Sequence, residues 1–182
     1  MNGRIRKISV YLILILLGSF LLLTMLVYLF PVNPHDVEVS GEVQELSHVF
    51  LDRTMTIISY PGYFPRSVIM IAGTAMILLV KRYYREALFV SPTSVSGVIS
   101  SGIKLLTNRP RPAADLVTIV DQAEGMSFPS GHVTLYVIYF GFVACLAIAL
   151  KQFHRGLRVT MLFVALFMIF SVPLSRLYLG AH

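Results

Sequence analysis

The sequence predicts an all-α fold: a polytopic transmembrane helix bundle with five spans and an amphipathic helix on its outer face. Three observations carry that expectation. Hydrophobic residues make up 56% of the 182 positions and charged residues 13%, a balance foreign to soluble globules. The apolar residues gather into runs approaching the ~20 needed to cross a ~30 Å hydrocarbon core. Lys and Arg then recur at alternate ends of those runs. By length the chain is a single membrane-embedded domain, 1–182, with its motifs in 98–182.

The first run covers residues 8–30, behind Arg4, Arg6 and Lys7. It is too long for a cleaved leader, and its exit through Tyr28, Leu29, Phe30 and Pro31 offers no small-residue cleavage site, so it reads as an uncleaved anchor. Within residues 41–59, Val43, Leu46, Phe50 and Ile57 recur at helical spacing, with Glu42, Glu45 and Asp52 elsewhere around the wheel. A helix in the headgroup plane and a structural cover over the bundle fit this pattern equally well. Tyr60, Pro61, Gly62, Phe64 and Pro65 end it, with aromatics suited to the interface.

The second span is expected at 67–80 and the third at 87–106. The third is diluted by Ser91, Pro92, Thr93, Ser94, Ser96, Ser100 and Ser101, which favours a helix turned to the bundle interior over one facing acyl chains. The fourth covers 131–150 and the fifth 157–174.

Arg4, Arg6 and Lys7, then Lys81, Arg82 and Arg85, then Lys151, Arg155 and Arg158 mark the cytoplasmic ends. The N-terminus is therefore expected inside, and the loops at 31–66 and 107–130, which carry most of the acidic residues, outside. The net charge of +6 is dispersed over helix ends and draws no basic face, which argues against nucleic acid and for membrane topology. Cys145, the single cysteine, lies inside an apolar run, so no internal disulfide or thiolate metal site is available. The sequence calls for no cofactor, no metal and no obligatory protein partner.

Three polar clusters interrupt this apolar chain, and the topology brings all three to the outer face. Lys104 precedes Arg109, Pro110, Arg111 and Pro112 at the end of the third span. Snorkelling of Lys104 and Arg109 would account for the charges alone. The prolines, however, stop the helix and direct Arg111, whose planar fork suits phosphate oxygens. Phe128, Pro129, Ser130, Gly131 and His132 precede the fourth span. Ser130 is a natural N-cap, the free N–H groups behind it make an anion site, and Gly131 permits close approach. His132 supplies a proton near neutral pH. The bland reading is a capped helix with an incidental histidine. Ser175, Arg176 and His182 follow the fifth span. Together these are three cations, a helix N-terminus and two imidazoles, a set suited to phosphoryl transfer without a metal.

In order and spacing the clusters resemble the type 2 phosphatidic acid phosphatase superfamily, whose pattern is K-x6-R-P, then P-S-G-H, then S-R-x5-H-x3-D. Lys104 with Arg111 and Pro112, Pro129 to His132, and Ser175, Arg176 and His182 match it. The resemblance implies that His182 is the nucleophile that forms a phosphohistidine. It implies that His132 protonates the leaving oxygen and that Lys104, Arg111, Ser130, Gly131 and Arg176 hold the non-bridging oxygens. The pattern's aspartate would fall beyond His182, where the sequence stops. That departure predicts a C-terminally incomplete chain, a sixth span in the complete protein, and weak activity without the carboxylate.

The expected function is hydrolysis of a lipid phosphate or pyrophosphate, with phosphatidic acid, phosphatidylglycerol phosphate and undecaprenyl pyrophosphate as substrates the resemblance allows. The alternatives are a phosphatase for small soluble phosphates, a phosphotransferase, or an inactive anion-binding membrane protein. The soluble vanadium haloperoxidases share the motifs, and the spans argue against them.

Overall fold

A computed structural model describes residues 3–30, 34–45, 48–111 and 125–180. Within these residues eight α-helices follow one another: α1 (Gly3–Leu29), α2 (Pro34–Glu45), α3 (Val49–Ser59), α4 (Arg66–Val80), α5 (Tyr84–Val90), α6 (Val95–Thr107), α7 (Gly131–Ala149) and α8 (Arg155–Tyr178). Among the described residues there is no strand. Apolar composition with every backbone group bonded inside its own helix is what hydrocarbon demands.

Among the described residues three helices are long and apolar enough to cross a membrane: α1 over Val10–Leu29, α7 and α8. The 24 residues of α8 rise about 36 Å at 1.5 Å per residue. No side chain from Val10 to Leu29 is buried, as suits a helix apolar all round and open to lipid. It leans on α6, and Phe20 stacks near Phe128 at a centroid distance of 6.3 Å.

The second predicted span is the lower arm of a broken pair. The segments Val49–Gly62 and Arg66–Val80 pass the length and hydropathy requirement together but are bent by 60°. The break is a 3-10 turn, Tyr60–Gly62, followed by Pro65. Pro61 and Pro65 offer no N–H to continue the ladder. The third predicted span is also not one helix, because a 3-10 segment, Ser91–Ser94, separates α5 from α6. Pro92 lacks a donor, and hydroxyls take up the carbonyls left behind. Ser91 donates to Leu88 O at 2.8 Å, Thr93 to Val90 O at 2.6 Å, and Ser96 to Thr93 O at 2.6 Å. Ser96 and Ser100 are buried, in line with the inward orientation expected of this run.

The amphipathic segment expected over 41–59 is divided between two helices. It falls on α2 and α3, and Phe50 and Ile57 are exposed. The face that packs is that of Met55, Ile58 and Ser59, because α3 lies against α8. Tyr178 donates to Asp52 Oδ1 at 2.5 Å, and Gln44 Nε2 donates to Tyr178 O at 2.9 Å, which ties α2 and α3 to the end of α8.

The core lies between α3, α4, α7 and α8, around Ile58, Ile71, Leu135, Tyr136, Tyr139, Phe140, Ala165 and Val172. Its two tyrosines are satisfied. Tyr136 donates to Ile58 O at 2.5 Å, and Tyr139 shares a 2.6 Å bond with Thr74. Leu78, Ala87, Leu146 and Leu150 form a smaller cluster at the opposite end. There Arg158 Nε donates to Ala147 O at 2.6 Å, so a cation of α8 caps the carbonyl end of α7.

Candidate active site

The site forms where the end of α6, the start of α7, the end of α8 and the corner between α3 and α4 converge. α6 stops because Asn108 adopts a left-handed conformation, φ 47°, with its N–H on Lys104 O. The outgoing and returning ends of the next loop then bind each other. Ser127 N donates to Arg109 O at 3.0 Å, Ser127 Oγ to Pro110 O at 2.9 Å, and Thr107 Oγ1 to Phe128 O at 2.9 Å. That clasp delivers Ser130 to the head of α7, where its Oγ accepts from Val133 N at 3.4 Å. The N-cap expected from the sequence is thereby present, and the first N–H groups of α7 open toward the site.

A cavity of about 320 Å³ lies in front of this helix end. Lys104, Gly131, His132, Ser67 and Ser101 contribute to its polar wall, and Phe64, Val68, Ile71 and Leu135 to its apolar one. The polar groups comprise a cation, an imidazole and a helix N-terminus. The apolar wall suits an attached hydrocarbon or isoprenoid stem.

Arg176 is buried, 2% exposed. Its Nη1 donates to Tyr63 Oη at 2.8 Å and reaches Ser59 Oγ at 3.5 Å. Ser59 and Ser175 are themselves 2.7 Å apart, and Ser175 Oγ donates to Met55 O at 2.6 Å. Tyr63 also meets His132, ring centroid to ring centroid at 4.5 Å and steeply inclined at 75°. Arg111 is held by backbone carbonyls, with Nε on Gly125 O at 2.9 Å and Nη2 on Met126 O at 3.4 Å. The guanidinium groups of Arg111 and Arg176 are nevertheless near enough to repel the Lys104 ammonium. Three like charges brought together have an electrostatic cost that a bound anion relieves.

Of the residues expected from the sequence, Lys104, Gly131 and His132 line one cavity. Ser130 caps the helix beside them, and Arg176 reaches them through Tyr63. Arg111 belongs to the same electrostatic cluster and binds backbone carbonyls of the loop that frames the cavity. His182 lies outside the described residues. Gly62 was expected only as part of the break after the amphipathic segment and Tyr63 was not singled out, yet both form part of the site. A Pro-Gly pair flanked by aromatics between two apolar helices was the available signal.

The profile of the PAP2 superfamily matches residues 85–182. Among solved structures, the chain is similar to the transmembrane PAP2 type phosphatidylglycerolphosphate phosphatase from Bacillus subtilis. The match has a TM-score of 0.75 at 19% identity and covers 91% of this chain and 83% of that one. Comparison with curated proteins gives no match.

Proposed function

The chain belongs to the PAP2 superfamily, and on that premise we propose that it is a membrane phosphatase that releases phosphate from a lipid phosphate or pyrophosphate. Members of this superfamily are phosphatases, which supports a hydrolase. The observation that carries the lipid reading is the cavity itself, whose lining combines Lys104, Gly131 and His132 with the apolar side chains of Phe64, Val68, Ile71 and Leu135. A phosphate held by the polar groups leaves its stem apolar side chains to lie against.

In this reading an imidazole nitrogen of His182 attacks phosphorus, and the bond to the leaving oxygen breaks as the N–P bond forms. His132 gives its proton to that departing oxygen. Water then attacks the phosphohistidine, His132 takes up the water's proton, and orthophosphate leaves His182 as it was. Lys104, Arg176 and the N–H groups behind Ser130 offset the charge on the non-bridging oxygens, with Gly131 allowing close contact and Arg111 adding to the local positive potential. No step calls for a metal. The distribution of Lys and Arg supports a cytoplasmic N-terminus and a site on the outer face of the cell membrane.

The test is orthophosphate release by the purified full-length protein from micellar phosphatidylglycerol phosphate, phosphatidic acid and undecaprenyl pyrophosphate, beside soluble glycerol phosphate, with and without chelator. Lipid substrates are expected to be turned over preferentially, chelator to have no effect, and acid-labile, alkali-stable phosphoryl label to appear on the protein. Turnover of the soluble ester alone would refute the lipid reading. Absence of release from every substrate would refute the phosphatase itself.

A further inference from the structure

We propose that Tyr63, with Gly62 beside it, is the positioning element that holds the proton donor His132 and the phosphate ligand Arg176 in register. The proposal rests on the phosphatase reading above. Both residues lie before the 85–182 stretch that the family profile matches, on the corner between α3 and α4.

His132 and Arg176 belong to different helices, α7 and α8, and one side chain touches both. Tyr63 accepts the 2.8 Å bond from Arg176 Nη1. The Arg176 guanidinium carbon also stands 5.6 Å from the Tyr63 ring centre, within the range of a cation over an aromatic face. The same ring packs on the His132 imidazole at 4.5 Å. A shift of Tyr63 therefore moves the group that binds phosphate and the group that delivers a proton to it.

Gly62 closes the imidazole from a second direction. A Cβ at this position would lie 2.2 Å from His132 Cδ2 and 2.9 Å from Nε2. No real side chain tolerates such contacts, so the absence of one at residue 62 defines where the imidazole rests. The 3-10 turn that carries Gly62 is anchored next door, since Tyr136 donates to Ile58 O and Ser59 binds Ser175. Geometry of this kind matters because a misplacement of about 1 Å in a catalytic group can cost about a hundredfold in rate.

The two contacts separate by substitution. Tyr63→Phe keeps the ring against His132 and removes the hydroxyl from Arg176. Losing one charge-assisted bond is expected to raise the KM for micellar lipid phosphate and weaken vanadate inhibition by about tenfold. The alkaline limb of the kcat against pH profile should stay in place. Gly62→Ala displaces the imidazole, so kcat should fall by about a hundredfold and that limb should move, with vanadate inhibition nearly retained. Tyr63→Leu should combine both effects, and circular dichroism with size-exclusion profiles in detergent checks that each variant is folded. Should Gly62→Ala fail to fold, the split between Tyr63→Phe and Tyr63→Leu still decides. Turnover by the unsubstituted protein with all variants matching it, or with Tyr63→Phe and Tyr63→Leu indistinguishable, overturns the positioning role alone. No phosphate release by the unsubstituted protein overturns the phosphatase reading and this proposal with it.

Discussion

Replacing Ser59 and Ser175 by alanine, singly and together, probes the polar link between α3 and α8. Both residues are fully enclosed. Ser175 donates its proton to Met55 O at 2.6 Å, so the proton shared across the 2.7 Å gap to Ser59 comes from Ser59. The Ser59 oxygen is then left with lone pairs toward Arg176 Nη1 at 3.5 Å. Ser59→Ala removes the shared bond and a long, weak contact. Ser175→Ala removes the shared bond and the one to Met55. At ~1 kcal/mol net for each well-formed buried bond, the single variants cost about 1 and about 2 kcal/mol. The shared bond is lost only once in the double variant, which should cost about 2 kcal/mol and give a coupling of about 1 kcal/mol. Unfolding of the four proteins in mixed micelles, driven by a rising fraction of denaturing detergent, measures the cycle. Additivity within ~0.3 kcal/mol would mean that the two hydroxyls do not share a proton, and the derived donor direction would fall with it.

Other outcomes follow from the same geometry. Lys104→Ala should lower kcat/KM by at least about a hundredfold, measured as phosphate release, with insertion and folding unchanged; wild-type rates would refute its place in the site. His132→Ala should abolish steady-state turnover of lipid phosphates, because the same imidazole serves both steps, while the first step should be spared best where the leaving group needs no proton, which phosphoryl-label formation from nitrophenyl compared with alkyl esters reads. Tyr136→Phe leaves the Ile58 carbonyl without its buried donor and should destabilise the protein by about 1–3 kcal/mol in the same detergent titration. Arg158→Ala, at the far end, removes the donor to Ala147 O and should cost about 1 kcal/mol without changing KM.

The two C-terminal spans were legible because long apolar stretches bounded by Lys151 and Arg155 leave α7 and α8 no alternative in lipid. The third run was not legible as three pieces. Its hydropathy averages over Pro92, whereas the break depends on which hydroxyls find the carbonyls of Leu88, Val90 and Thr93. Which face of α3 meets the bundle was not legible for a related reason. Helical periodicity picked out Phe50 and Ile57, and in a membrane the exposed side of a helix is as apolar as the buried one, so periodicity loses its direction. Within the site, Lys104, His132 and Arg176 stood out as polar groups that an apolar chain retains only with reason. Tyr63 and Gly62 carried no such mark. An aromatic and a glycine next to proline are ordinary at an interface, and their importance arises from contacts across 69 or more positions of sequence that no local pattern encodes.

The first helix has a different relation to selection from the rest of the bundle. Its length answers to the thickness of the oil and its surface to nothing more specific than being oily, apart from the strip near Phe20. Leucine, isoleucine, valine and phenylalanine should therefore interchange freely along it. The same exchanges at Val172 or Ala165, both wholly enclosed, would disturb the packing that brings the end of α8 to its neighbours. Lineages of this protein should then show rapid drift in the anchor beside near-stasis at the enclosed positions of the last two helices.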